Sequence, residues 1–144
     1  MSAENKAIAR RFVQEGFNTG NLAVVGEYIG PNFVNYDPGT PPLPSGPEGY
    51  KQLVTIYRTA FPDLHLSVED LIPEGDKVVV RWTARGTNTG KLMGMPPTGK
   101  QTTVTGISIL AITGGKVVEQ RTNWDTLGML QQLGVVPKTG QGGS

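Results

Sequence analysis

The 144-residue chain has no cysteine and a single histidine, His65. Without thiols there is neither a disulfide framework nor a thiolate nucleophile, and one imidazole cannot build a zinc site unaided. Metal chemistry would have to rest on oxygen ligands, and no dense Asp/Glu spacing offers them. No apolar run approaches the length of a membrane span, and the first twenty residues carry charges throughout, with no apolar core of a signal peptide. An excess of one charge is missing too: thirteen Lys and Arg against twelve Asp and Glu leave +1. No basic cluster is interleaved with aromatics, so neither nucleic acid nor membrane is an expected partner. Together these absences predict a cytoplasmic protein of one domain over residues 1–136, with a Gly-rich tail at 137–144 expected to be disordered.

Helical spacing dominates the first part of the chain. Ile8, Phe12 and Val13 follow a helical period after a possible cap at Ser2, and Phe17 extends the stripe to Asn18-Thr19-Gly20. A shorter helix through Leu22, Val25 and Tyr28 is expected to stop at Gly30-Pro31. The brief extended piece Phe33–Tyr36 leads into a four-proline loop, Asp37–Pro44. Ser45-Gly46-Pro47-Glu48 has the form of a capping box, and a third helix carries Tyr50, Leu53, Val54, Tyr57 and Phe61 on one side.

From Leu64 the apolar period falls from about 3.6 to 2. Leu64, Leu66 and Val68 alternate with polar residues, as do Val78, Val80, Trp82 and Ala84 beyond a turn at Pro73–Asp76. After an excursion from Gly86 to Gly99, Gln101–Thr113 and Lys116–Asp125 read as two strands joined by the two-residue turn Gly114-Gly115. If that turn is a tight two-residue one, Gly106, Ser108 and Leu110 share a face with Arg121, Asn123 and Asp125. The other face then carries Ile107, Ile109 and Trp124, a flat apolar surface suited to another layer or a second subunit. Helices followed by an antiparallel sheet make an α+β fold.

Candidate chemistry concentrates in Glu119–Gly134, where Asp125 stands between Trp124 and a helix built on Leu127, Leu130 and Leu133. A carboxylate at the end of a strand, partly desolvated and within reach of a bound carbonyl compound, is a general-base candidate. Its plainer role is an N-cap for the helix starting near Thr126. Arg121, Asn123 and Arg81 are candidates to orient it. Asn35, Tyr36, Tyr57 and Trp82 are candidate pocket walls, with the phenol of Tyr36 a donor to a substrate carbonyl. Gly94–Lys100 matches the phosphate-loop spacing G-x-x-x-x-G-K. Two prolines remove N–H donors, however, Gln101 replaces the magnesium hydroxyl, and a strand follows in place of a helix. A loop over the cavity mouth, with Met93 and Met95 touching an apolar ligand, fits that segment better. His65, flanked by Leu64 and Leu66, falls on the opposite, solvated side of its strand.

FPDL at 61–64, GDKVVVRWTARGT at 75–87, GMPPTGK at 94–100, the GGK turn at 114–116 and WDTLGMLQQLG at 124–134 together resemble a SnoaL-like polyketide cyclase or ester cyclase of the NTF2-like superfamily, over about residues 4 to 135. The resemblance implies a cone-shaped α+β barrel, with three N-terminal helices packed on a curved antiparallel sheet, a short C-terminal helix and a deep apolar pocket. It implies dimerisation through the outer sheet face. It also implies an intramolecular aldol ring closure on a hydrophobic carbonyl substrate, without metal or cofactor, in which Asp125 is the general acid/base. Two positions depart from the pattern: Tyr36-Asp37-Pro38 stands where many relatives read HDP, and Glu119-Gln120-Arg121 where they read EHW. The histidines that would assist Asp125 are absent. Epoxide hydrolysis on the same fold would need a second carboxylate near Arg81, where this chain has Thr83. An isomerase, or a non-catalytic module holding a small apolar metabolite, is the remaining alternative.

Overall fold

The computed structural model describes residues 2–23 and 25–137, so the tail expected beyond Pro137 lies outside the described residues. Helix α1 covers Ser2–Arg11 and runs directly into a π-helical segment, Phe12–Asn18. The change of pitch has a local cause. The Tyr50 hydroxyl, fully buried, donates to the Phe12 carbonyl, the oxygen that an α-helical ladder would give to the Gly16 N–H. Glycine at 16 makes room for it, because a Cβ there would lie 1.9 Å from the Tyr50 oxygen. Helix α2 is a single turn, Val25–Tyr28, and strand β1 begins at once with Ile29–Tyr36. The break expected at Gly30-Pro31 is thus an irregularity within an edge strand.

Helix α3, Pro47–Ala60, has proline in its first turn, but the capping box does not form: Gly46 occupies the N-cap and supplies no side-chain acceptor. Four long strands follow, β2 (His65–Glu74), β3 (Lys77–Thr87), β4 (Gln101–Thr113) and β5 (Lys116–Trp124), and α4 (Thr126–Leu133) closes the described chain. The sheet order is β1-β5-β4-β3-β2, a curved, unclosed sheet. All neighbours are antiparallel except β1 and β5, which pair in parallel, with Tyr36 opposite Arg121. The α1/π segment and α3 lie across one face of this sheet. Phe12, Phe33 and Tyr50 form the aromatic centre of the core between the layers.

Gly114 and Gly115 take the positive φ values, 59° and 79°, that a tight hairpin demands. The register then differs from that of an uninterrupted hairpin. Ile112 faces Val117, but Ala111 faces Glu119, so Val118 is an extra residue in β5. Because side chains alternate along a strand, this single bulge exchanges the faces of everything beyond it. Ser108 now pairs with Thr122 and Gly106 with Trp124 on the concave side, while Ile107 and Ile109 sit beside Asn123 and Arg121 on the convex side. The sharing of a face expected between Ser108, Arg121 and Asn123, and between Ile109 and Trp124, is overturned.

Candidate functional site

Between the concave face and the helices lies a cavity of about 90 Å³, several times the roughly 10–15 Å³ that one water requires. Phe12, Phe17 and Leu53 from the helices and Leu66, Val104 and Met129 from the sheet and α4 make its lining largely apolar. The π segment contributes directly, since Phe12, Val13 and Phe17 all reach the cavity. Its end is fixed by Asn18, whose amide bonds both the N–H and the carbonyl of Leu66 on β2.

Two polar groupings interrupt the apolar lining. On the sheet side, Trp82 donates its indole N–H to the Ser108 hydroxyl at 3.0 Å, and Ser108 bonds Thr122 at 2.7 Å. The ring of Trp82 lies over Gly106, where a Cβ would meet it at 2.3 Å. The small residue therefore seats an indole. On the loop side, the Asp37 carboxylate accepts from the Gly39 N–H at 2.8 Å, the Thr40 hydroxyl at 2.8 Å and the indole N–H of Trp124 at 3.0 Å. Thr40 in turn lies 2.7 Å from the phenol oxygen of Tyr57, and the Tyr57 and Trp124 rings meet edge to face at 5.8 Å. Burial pushes the Tyr57 phenol up to about 12; the negative charge of Asp37 works in the same direction, and the bond to Thr40 opposes both. Tyr57 thus keeps its proton throughout the neutral range.

Asp37 and Thr122 also border a second, open hollow at the sheet edge, where the proline loop leaves β1. Asn35, Tyr36, Arg121 and Asn123 line it. There the Arg121 guanidinium lies over the Tyr36 ring, 4.2 Å from its centroid, and is ion-paired to Glu119. Asp37 is therefore the carboxylate shared by an apolar interior and a polar exterior.

The model of the family described as SnoaL-like polyketide cyclase matches residues 7–133. The chain belongs to that family. It is 34% identical over 119 residues to the nogalonic acid methyl ester cyclase of Streptomyces nogalater, covering 82% of this chain and 89% of that protein. It is likewise 34% identical over 131 residues to the aklanonic acid methyl ester cyclase DnrD of Streptomyces peucetius, covering 88% of each. The solved structure of TsrD from Streptomyces laurentii superposes with a TM-score of 0.83 at 28% identity, covering 93% of this chain and 97% of that one.

Within this SnoaL-like framework the residues singled out from sequence separate into three groups. Tyr57 and Trp82 line the cavity. Asn35, Tyr36, Arg121 and Asn123 line the outer hollow, because the Val118 bulge turned the last two outward. Arg81, Met93 and Met95 line neither. Arg81 is exposed and ion-paired to Asp70 at 2.6 Å. The methionine loop is anchored by Asn88, buried to 1% exposure, whose amide donates to the Ala60 and Gly90 carbonyls and accepts from the Thr98 N–H and hydroxyl, and its Met95 packs against the core.

Asp125 is exposed and outside the cavity lining; its carboxylate accepts from the Gly128 N–H at 2.8 Å and caps α4. The helix it caps buries Met129 and Leu133 and leaves Leu127 exposed, so its inner face is shifted from the expected Leu127-Leu130-Leu133 stripe. His65 is exposed, on the solvent side of its strand. Among the described residues no group of three or more His, Cys, Asp or Glu is arranged to hold a metal ion, and no helix is long and apolar enough to cross a membrane. Sequence reasoning passed over Asp37, Gln120, Thr122 and Ser108. The one local signal was the aspartate before Pro38 in a loop otherwise rich in proline.

Proposed function

We propose that this SnoaL-like chain catalyses an intramolecular aldol-type ring closure of a hydrophobic polyketide carbonyl compound held in the apolar cavity, with Asp37 as the proton-abstracting carboxylate. One observation supports this most directly. Asp37 is the carboxylate in the lining of the cavity, and three donors, with the Trp124 indole shared between its two oxygens, hold it in place against a bound substrate C–H. Asp125, the acid expected from sequence, is held by a helix N-terminus outside that lining. Tyr57, protonated and on the same wall, is the donor for the developing oxyanion, a role worth about 3–4 kcal/mol. Proton transfer between side chains and substrate needs no cofactor, and a chain without cysteine suits the cytoplasm.

The methyl esters of nogalonic and aklanonic acid, named for the relatives, are the first substrates to assay. Asp37→Asn should lower kcat by at least a hundredfold, with Asp125→Asn near wild type; the reverse order would sink the assignment. Tight binding of these esters by wild type with no turnover would favour the second reading, a module that sequesters an apolar metabolite, for which the largely apolar lining speaks. The proposal includes a second copy of the chain on the convex face, where Ile107 and Ile109 stand 49% and 39% exposed. Ile109→Lys should convert a dimer to a monomer in light scattering, and an unchanged mass would refute the pairing.

A further inference from the structure

The hydroxyl of Thr40 sits between Asp37 and Tyr57, and counting its protons fixes a direction. A threonine hydroxyl has one hydrogen. The carboxylate of Asp37, acceptor only, takes it at 2.8 Å, so the 2.7 Å contact to Tyr57 must be made with the Tyr57 hydrogen. The resting chain therefore runs from Tyr57 to Thr40 to Asp37, with the phenol proton turned away from the cavity. Tyr57 and Asp37 both line the cavity, while Thr40, 9% exposed, lies behind them.

We infer that Thr40 is a relay residue that couples the base to the acid: protonation of Asp37 reverses the hydrogen-bond chain and turns the Tyr57 proton toward the substrate. This rests on Asp37 being the base. In the first step, Asp37 takes the proton from the α-carbon, and the C–H electron pair becomes the enolate. The enolate carbon then attacks the second carbonyl, forming the C–C bond and leaving the former carbonyl oxygen as an alkoxide. With Asp37 now an O–H donor to Thr40, Thr40 donates to Tyr57, and Tyr57 gives its proton to the alkoxide. Thr40 passes its proton to the Tyr57 oxygen and receives the Asp37 proton. Every group returns to its starting state, and no proton, oxidant or reductant is drawn from outside.

The relay makes Asp37 and Tyr57 energetically dependent through Thr40, which a cycle of variants detects without the natural substrate. β-Naphthol, a neutral bicyclic enol mimic, serves as a probe of whether the Tyr57 proton faces the cavity. Asp37→Asn imitates the protonated acid, since its amide N–H can donate to Thr40. It should raise naphthol affinity about tenfold in fluorescence titration, the worth of one net hydrogen bond. In a Thr40→Val background the phenol has lost its Thr40 acceptor and keeps only the long 3.4 Å contact to the Gly39 carbonyl, so adding Asp37→Asn should change nothing. Thr40→Ser should restore the response. Equal effects of Asp37→Asn in the wild-type and Thr40→Val backgrounds, or no effect in either, would overturn the relay. The base assignment is read separately, from exchange of the α-protons of β-tetralone in deuterated buffer. Exchange by wild type that persists in Asp37→Asn removes the base itself. Its loss in that variant together with an absent naphthol coupling removes the relay alone.

Discussion

Replacing Asp125 separates a structural acid from a reactive one. Its carboxylate accepts a single 2.8 Å bond from the Gly128 N–H, at the start of an eight-residue helix whose first buried side chain is Met129. Losing an N-cap acceptor costs about 1 kcal/mol, within a range of roughly 0.5–2. Fraying of the turn at 126–128 is the whole expected consequence, because Met129 and Leu133 still anchor the helix to the core. For a chain of this size about 1 kcal/mol lowers Tm by roughly 2–5 °C. Asp125→Ala should therefore melt a few degrees early by calorimetry, and urea unfolding should give the same loss with an unchanged slope. Asp125→Asn, which caps nearly as well, should melt with wild type. Neither should alter ring closure or naphthol binding. A drop in turnover for Asp125→Asn at wild-type stability would refute the reasoning and return the chemistry to the end of β5.

Other consequences follow from groups outside that turn. Asn88→Ala removes four hydrogen bonds from a buried amide and takes their side-chain partner from the Gly90 carbonyl and the Thr98 N–H; a loss of about 3 kcal/mol in urea unfolding is expected, with faster amide exchange at 88–100. Gly16→Ala drives a methyl to within 1.9 Å of the Tyr50 oxygen and should cost roughly 1–3 kcal/mol, as seen by thermal melts. Beside Tyr28 and Tyr50, whose phenols burial also pushes up, Tyr57 contributes to the alkaline limb of stability. Its folded pKa, about 12, exceeds the ordinary 10.0, so its contribution is complete below pH 10 and fades as pH climbs through 12, by about 3 kcal/mol in all. Tyr57→Phe should flatten that limb, and an unchanged alkaline unfolding curve would count against the burial of the phenol.

Much of the fold was legible because its signals are local and periodic. The alternation in β3 and β4, the double glycine between β4 and β5 and the glycine ending α4 each dictate backbone geometry without help from distant residues. Gly134 does take a left-handed conformation, and the buried positions of β4 do fall on every second residue. The family resemblance rested on the same segments. The site was less legible, for two physical reasons. Nothing in Lys116-Val117-Val118-Glu119 distinguishes a bulged valine from a paired one, yet that valine decides which side chains of β5 face the cavity. Asp37 acquires its meaning from Trp124, 87 residues away, and from a loop that folds back onto the indole. No periodicity carries such a contact. Asp125 drew attention because an acid next to a tryptophan at the end of a strand suits both a cap and a base, and spacing alone does not separate them.

The extra residue at Val118 also governs how this strand tolerates a change of length. Deleting it would let Glu119 follow Val117 and still face Ala111, so Gln120, Thr122 and Trp124 would keep their partners and their side of the sheet while only the bulge disappeared. The faces change only if the residue stays and the bulge is ironed out, a slip that would set Arg121 opposite Ser108 and exchange an indole and two uncharged polar side chains for two charged groups and an amide. Relatives one residue shorter between the glycine turn and the strand end should therefore be aligned with the gap at Val118, which keeps inward residues in the same columns.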